Sequence, residues 1–424
     1  MQSSQKAARF AGDVSIDKVR ITTRSGLSQD IAAQVIAIQI FEDLFSPFIS
    51  GSLIVKESLD LINLFPFAGE ERLELEINTP SLEKGNIKSN FYIYKLTDRE
   101  LIGDKSVVYQ LHFISEEAIV DMNKKVSRVF GDKPEVIIDY LTKDEINGLQ
   151  TKKNVNKEES SRAIKFISNF WSPTRAIEFV TNGSTNKNNS PSYLFFENRD
   201  GFNFVTLESL YSNQVYQEFV YDKYTRDKLP NGGDARNVGQ DYKRINTLSI
   251  PFGFDYIDRI KSGMFASKII SYDLTKKQYN VKPFNMFEYF AGSPHLNQYN
   301  IASEKSIFRT NSTLINYPRA NSNFSGFGDA TNYRNEQKRL SLIKAAEANK
   351  IQIVVPGRCD YTVGQKVNVK LYKIEPLSSR DEDNLDKMFS GNYIIAAVNH
   401  YINRDGHECN MELIKDSLMM KVGE

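Results

Sequence analysis

Apolar and polar positions alternate along the first part of the chain in the way that strands require. Leu73 to Ile77 reads Leu-Glu-Leu-Glu-Ile, which predicts a strand with one wet and one buried face. Ala33 to Phe41 is a nearly continuous apolar run, as in a strand that is buried on both faces. Several more short strands follow with turn signals between them, so residues 13–115 predict a small barrel or sandwich.

The pattern changes after residue 115. Glu116 to Phe130 and Pro134 to Leu141 have helical spacing, and Asp132 is the expected N-cap of the second helix. A stretch rich in Asn and Ser, residues 184–192, is predicted to be exposed. Residues 116–240 are therefore interpreted as an α+β block.

Strand patterns return in the last part of the chain, in residues 241–285 and 331–420. Between them, residues 286–330 are weakly patterned and read as a long loop or excursion. Thr331 to Lys350 is the clearest helical pattern, with apolar residues at helical spacing and charges opposite. Residues 1–12 are small and polar and are expected to be flexible. The predicted fold class is α+β, predominantly β.

Composition indicates an ordinary globular protein of 424 residues whose 54 basic and 53 acidic residues nearly cancel. A long nucleic-acid footprint would normally need a basic excess, so the balance argues against one. The longest apolar runs are too short for membrane insertion, and no export signal is predicted at the start. Two cysteines cannot form a disulfide framework, which favours a reduced cytosolic origin.

The most conspicuous segment is an aromatic hairpin. Tyr193 to Glu197 and Phe202 to Phe204 are aromatic strands, and Asn198-Arg199-Asp200-Gly201 is the turn between them. Phe and Tyr are abundant in the chain, at 27 and 21 residues against a single Trp. These residues favour strands and large packed interfaces, and most of them are expected to fill β cores.

Candidate chemistry is sparse. His400, His407 and Cys409 surround one predicted hairpin and have side chains that bind zinc, but no second pair of ligands has metal spacing. They are interpreted as two surface histidines and a small buried thiol, and no metal or cofactor is predicted. Paired carboxylates such as Glu70-Glu71 would suit glycoside hydrolysis, although adjacent glutamates usually lie on solvated faces. No nucleophile elbow, phosphate loop or dinucleotide fingerprint appears, so no catalytic residue is assigned and the chain is predicted not to be an enzyme.

Several segments, taken in order, carry a family resemblance. They are Ser127 to Pro134 (SRVFGDKP), Phe170 to Ile177 (FWSPTRAI) before the aromatic hairpin, Phe254 to Lys268 (FDYIDRIKSGMFASK), and Tyr333-Arg334-Asn335 at the start of the long helix, followed by the Gly-turn strands and the final hairpin. Together they cover most of the chain. In this order they resemble the central baseplate hub proteins of contractile-tailed (myovirus) bacteriophages.

The resemblance implies two barrel-like tube domains, residues 13–115 and residues 241–285 plus 331–420, with inserted α+β material at 116–240. Three copies would place six such domains in a pseudo-sixfold ring that joins the sixfold tail tube to the threefold central spike. The implied partners are a second and third copy, the spike, tube or tube-initiator proteins and other baseplate proteins. The implied location is the tail baseplate of the virion, after synthesis in the host cytoplasm.

The resemblance also implies that DNA passes through the ring only transiently. Glu74 and Glu76, on alternating positions of one strand, are the candidate channel-facing residues that would repel DNA phosphates. Two alternatives stay open: the hub of a related contractile injection system, and a cell-wall hydrolase or glycan-binding tail component.

Overall fold

The computed structural model describes residues 8–58, 67–82, 85–102, 105–221, 238–252, 255–273, 277–303, 313–318, 335–373 and 384–422. Its strands are β1 (Ser15–Thr22), β2 (Ser28–Asp30), β3 (Val35–Asp43), β4 (Ser50–Glu57), β5 (Arg72–Asn78), β6 (Ile87–Ile102), β7 (Ser106–Ser115), β8 (Val126–Asp132), β9 (Val155–Lys157), β10 (Ile164–Trp171), β11 (Tyr193–Asn198), β12 (Gly201–Thr206), β13 (Val215–Tyr221), β14 (Thr247–Phe252), β15 (Ala266–Asp273), β16 (Gln278–Asn285), β17 (Tyr299–Asn300), β18 (Thr313–Pro318), β19 (Asn349–Pro356), β20 (Lys366–Leu371), β21 (Gly391–Asn403), β22 (His407–Lys415) and β23 (Ser417–Leu418). Its helices are α1 (Glu116–Asn123), α2 (Pro134–Lys143), α3 (Pro173–Gly183), α4 (Leu207–Ser212), α5 (Val238–Asp241), α6 (Tyr256–Lys261), α7 (Met286–Phe290) and α8 (Glu336–Ala346). The predominantly β fold class is confirmed.

Thirteen of the described strands form one sheet that includes both ends of the chain. Its main path runs β14-β19-β22-β21-β3-β4-β7-β6-β5-β1-β2, and β20 pairs with both β21 and β13. The long strand β21 connects the two ends. Its first residues pair with β20, and the segment from Ala397 to Asn403 pairs antiparallel with β3 from Asp43 to Ala37. The N-terminal and C-terminal β material is therefore hydrogen-bonded directly.

The N-terminal strands enclose the first core. Leu73, Leu75 and Ile77 alternate inward from β5 and are fully buried, as the sequence pattern predicts. They pack in one apolar cluster with side chains from β1, β3, β4, β6 and β7. Because both ends of this strand order meet in one cluster, the sheet curves around its own core.

The C-terminal strands build the second core from β19, β20, β21 and β22, together with β13. Ile351, Ile353 and Val355 alternate inward along β19, and Tyr393 to Ala396 is a continuous buried run on β21. A smaller cluster around Met264 and Phe265 packs the segment after α6 against α7 and α8. The domain boundaries given above stay a prediction.

The predicted aromatic hairpin is confirmed as β11 and β12, which pair from Tyr193–Thr206 to Asn198–Gly201. Its side chains alternate between two cores. Leu194 and Phe196 belong to the second core, whereas Phe202 and Phe204 belong to a third core formed by the inserted block. A hairpin that is buried on both faces needs apolar residues at nearly every position, which explains the unbroken aromatic pattern.

Two helix predictions need correction. The predicted helix from Glu116 to Phe130 ends at Asn123, and Val126–Asp132 is strand β8, which pairs with β10. Val126 and Phe130 are buried four positions apart, a spacing that fits a strand as well as a helix. Asp132 is not the N-cap of α2, because the capping position is Lys133 without a side-chain cap and Asp132 accepts a bond from the Lys133 amide.

The long helix predicted from Thr331 to Lys350 is shorter in the structure. Within the described residues α8 spans Glu336–Ala346, because the chain has already entered β19 at Asn349.

Residues 331–334 lie outside the described residues, as do 304–312 and 319–330 of the predicted excursion and residues 1–7. The described part of the excursion contains α7, β17 and β18, and β18 pairs in parallel with β15.

Candidate assembly surfaces

Strand β5 places Glu74 and Glu76 on the face that points away from the first core. Their side chains are 35% and 30% exposed. The Lys18 Nζ lies 2.6 Å from a Glu74 carboxylate oxygen, and the Lys88 Nζ lies 3.5 Å from one of Glu76. Each carboxylate therefore has a neighbouring ammonium group. Their orientation toward a channel stays a prediction.

A polar cleft of about 1050 Å³ separates this face from the inserted block, and Glu74 is among its lining residues. The lining residues include six acidic side chains (Glu74, Glu116, Glu117, Glu145, Glu197 and Asp200) and six basic ones (Arg72, Lys88, Lys143, Lys152, Lys153 and Arg199). A surface with balanced charge has little net attraction for a polyanion. This cleft is thus a poor binding site for a phosphate backbone.

A buried ion network holds the hairpin to the N-terminal strands. The Lys153 Nζ lies 2.5 Å from Glu197 of β11 and 2.6 Å from Glu117 of α1. The other Glu197 oxygen accepts a bond of 3.0 Å from the Ile49 amide. Burial raises the pKa of Glu197, and the Lys153 ammonium opposes that rise. No local sequence pattern predicts this network, because its members lie far apart in the chain.

The Asn/Ser-rich stretch 184–192 is not the exposed loop that was predicted. Ser184, Asn186, Ser190 and Ser192 are almost fully buried. The Asn186 side chain caps the turn by accepting bonds from the Asn188 and Ser190 amides. The small polar side chains satisfy backbone groups inside the fold, so their composition reflects a buried turn rather than a linker.

Strands β6 and β7 continue past the end of β5 as an arm, residues 94–102 and 105–110, in which β7 stays paired with β4 and only the outer edge of β6 is open. Strand β5 pairs with β6 only as far as Tyr92, and beyond that point no strand in the described ranges pairs with the outer edge of β6. Three large apolar side chains of this arm are exposed: Tyr94 at 48%, Leu101 at 77% and Ile102 at 48%. Open strand edges with apolar side chains promote association, so the arm is a candidate contact surface.

A second apolar surface lies on the inserted block. Val129 of β8 and Ile167 of β10 are paired directly opposite each other and are 55% and 66% exposed. Phe170, the residue before the last one of β10, is 71% exposed. Clustered exposed apolar residues of this size are typical of protein contact surfaces.

Ser293, His295 and Asp416 approach the arrangement of a hydrolytic triad. The Ser293 Oγ lies 3.1 Å from His295 Nε2, and His295 Nδ1 lies 2.6 Å from an Asp416 oxygen. However, Nε2 is also 2.8 Å from the Phe290 carbonyl oxygen, which can only accept a hydrogen bond. Burial lowers the pKa of His295, but the bond to Asp416 outweighs it and raises the pKa overall. A lone pair on Nε2 would face the Phe290 carbonyl oxygen, so Nε2 carries a proton and cannot take the Ser293 proton. This group therefore links α7 to the C-terminal strands.

His400, His407 and Cys409 meet as the hairpin prediction implies, but the interpretation of two surface histidines is wrong. Both rings are 1% exposed and the thiol is fully buried. His400 Nδ1 lies 3.1 Å from His407 Nε2. Burial lowers the pKa of His400 to about 4 and that of His407 further below its usual value, and it raises the pKa of Cys409. All three groups are therefore uncharged in the metal-free chain.

None of the helices in the described part of the chain is both long and apolar enough to span a membrane. No protein-family model matches the sequence. The chain is 21% identical over 403 residues to the probable baseplate hub protein gp334 of Vibrio phage KVP40, covering 91% of this chain and 90% of that protein.

Two solved structures share the fold. The tail protein from Neisseria meningitidis MC58 superposes with a TM-score of 0.56 at 13% identity, over 94% of this chain and 96% of that one. The 43 kDa tail protein of prophage MuSo2 from Shewanella oneidensis gives a TM-score of 0.54 at 10% identity, over 94% and 98%. These comparisons confirm the resemblance to the baseplate hub proteins of contractile-tailed phages, on a fold shared with phage tail proteins.

Proposed function

We propose that this chain is a structural subunit of a phage tail baseplate hub and that it is not an enzyme. The similarity to a probable baseplate hub protein over nine-tenths of both chains carries the proposal. The described residues support it, because the one arrangement that approaches a catalytic triad has its histidine engaged by a carbonyl oxygen. The protein would act in the virion tail after synthesis in the host cytoplasm.

In the proposed assembly three copies form a ring. Each chain contributes two β cores joined by the pairing of β3 with β21, so three chains supply six β units around one axis. Such a ring would match a sixfold tail tube on one side and a threefold central spike on the other. The partners are two further copies, the spike, tube proteins and other baseplate proteins.

Mass photometry of the full chain, alone and mixed with the central spike protein of the same phage, tests the assembly. The proposal expects particles of three times 48.5 kDa, with or without added spike mass. A chain that stays at 48.5 kDa in both samples and clears peptidoglycan would instead support the hydrolase alternative.

The arm of β6 and β7 is proposed to lie against a neighbouring copy in the ring. Replacing Leu101, 77% exposed at the end of β6, with aspartate would bury a charge in that contact. We expect assembly to weaken by about tenfold or more while the monomer keeps its stability. Concentration-dependent mass photometry measures the change. Ile146→Asp is the matched control, since Ile146 is 80% exposed on the inserted block, away from the arm. Equal assembly of the arm variant and the wild type would refute this contact.

Glu74 and Glu76 are proposed to face the passage that DNA crosses. The double change Glu74→Lys/Glu76→Lys shifts the net charge of each chain by +4 and breaks the pairs with Lys18 and Lys88. We expect the assembled variant to retain duplex DNA with an affinity that falls as salt rises, whereas the wild type does not bind it. Fluorescence anisotropy at two salt concentrations measures this affinity.

The control is the double variant Glu288→Lys/Glu408→Lys, which has the same change in charge at other exposed positions. Equal DNA binding by the two double variants would contradict the proposal that Glu74 and Glu76 face the passage.

A further inference from the structure

The buried cluster of His400, His407 and Cys409 has a geometry that the proposed hub function does not use. His400 lies on β21 directly opposite Cys409 on β22, and His407 lies two residues from Cys409 on the same face. The Cys409 Sγ lies 3.4 Å from His400 Nδ1 and 3.4 Å from His407 Nε2, and the two nitrogens are 3.1 Å apart. Three potential ligand atoms thus form a nearly equilateral triangle.

The size of this triangle suits a metal ion. A point equidistant from its three corners lies about 1.9 Å from each atom, close to the Zn–N and Zn–S bond lengths of about 2.0–2.3 Å. A small movement of the ion out of the plane, or of the sulfur outward, brings all three distances into range.

The surroundings fix one ring in the orientation that a ligand needs. His400 Nε2 lies 3.1 Å from the Tyr361 carbonyl oxygen, so Nε2 carries the proton and the Nδ1 lone pair points at the triangle. A carbonyl oxygen that holds the far side of an imidazole is the usual outer partner of a metal-bound histidine.

The backbone around His407 is equally constrained. Its amide donates to the Gly12 carbonyl, and its carbonyl accepts from the Gly357 amide at 2.7 Å. A Cβ at Gly357 would lie 2.3 Å from the His407 ring, so the glycine makes room for the imidazole. His407 Nδ1 is buried and has no hydrogen-bond partner among the described residues. Apart from the contacts of its Nε2 with His400 and Cys409, the ring is therefore held by packing and by its own backbone.

We propose that His400, His407 and Cys409 bind one thiophilic d¹⁰ metal ion, Cu⁺ or Zn²⁺, as a structural site beside the junction of β21 with β3. Binding would release the Cys409 thiol proton and leave the proton of the neutral His407 ring on Nδ1, so that Nε2 could bind the ion. Thiolate and imidazole together select these soft or borderline ions over Mg²⁺ or Ca²⁺. Cu⁺ with one thiolate is electrically neutral, which suits a site with three ligands and no exposed surface, whereas Zn²⁺ usually takes four ligands.

The test uses the full chain without a histidine tag, expressed in medium supplemented with zinc in one arm and with copper in the other. After gel filtration under reducing conditions, elemental analysis is expected to find one ion per chain. X-ray absorption of the same sample is expected to show one sulfur and two nitrogen neighbours. The loaded chain should also unfold at a higher temperature than the chelator-stripped one.

Matched variants separate the site from adventitious binding. Cys409→Ser is expected to lose the ion, whereas Cys359→Ser is expected to keep it, since Cys359 is equally buried but outside the triangle. If Cys409→Ser does not fold, the X-ray absorption spectrum of the wild type still shows whether sulfur binds the ion. The proposal is overturned when neither arm retains a stoichiometric ion, or when the bound ion has no sulfur neighbour.

Discussion

Replacing Phe204 with alanine is expected to lower the free energy of unfolding of the inserted block by about 3–5 kcal/mol. Phe204 is fully buried, and its ring stacks on Tyr193 with centroids 4.4 Å apart. It belongs to the core that packs α2 and α3 onto the hairpin. Removing the ring leaves a cavity between rigid strands and helices, which the surroundings cannot fill.

The single tryptophan provides the measurement. Trp171 packs against Phe166 and Phe179 at the edge of the same core, so its fluorescence during urea unfolding reports on this block. Phe170→Ala is the matched control, because that ring is 71% exposed and its removal should change the free energy by less than about 0.5 kcal/mol. Equal effects of the two changes would mean that the hairpin does not belong to this core.

Lys153→Met is expected to lower the free energy of unfolding by about 3 kcal/mol, because it leaves two carboxylates without their cation. The Glu197 and Glu117 side chains are only 1% and 7% exposed, and Lys153 is the ammonium that contacts both. The change also separates the hairpin from α1, which would weaken the contact between the inserted block and the N-terminal strands. Lys152→Met is the control, since the neighbouring Lys152 is exposed.

The stability that Lys153→Met loses should increase as the pH rises. Burial holds the pKa of Glu197 above its usual value, and loss of Lys153 raises it further. A native state with the higher pKa binds the extra proton, so its stability falls as pH rises through that pKa. The deficit of Lys153→Met should therefore be smaller at about pH 5 than at about pH 8. Urea unfolding at both values checks this, and a deficit that grows on acidification would contradict the network.

Local patterns in the sequence predicted strand faces and turns correctly. The alternation of Leu73, Leu75 and Ile77 identified the buried face of β5, and the Asn-Arg-Asp-Gly turn identified the aromatic hairpin. Periodicity gave the wrong element where a helix and a strand share one spacing of buried residues. Val126 and Phe130 were predicted in a helix but lie in strand β8. It also misread residues 184–192, because small polar residues occur in exposed loops and in buried turns alike.

Long-range contacts were beyond local patterns. The pairing of β3 with β21 joins residues about 360 positions apart, and register between such strands follows from the whole packed core. Lys153 is one lysine of many in a charged stretch until folding brings Glu117 and Glu197 to it. The His400, His407 and Cys409 triangle was visible as a hairpin grouping, but burial and ring orientation, which decide its chemistry, appear only in the fold.

Electron microscopy of the purified full chain together with its spike protein tests the central claim most directly. The account predicts a ring of three copies in which six β units surround an open axis, with the arm of β6 and β7 against the neighbouring copy. A monomer bound to the side of the spike, or a closed particle without an axial passage, would contradict it.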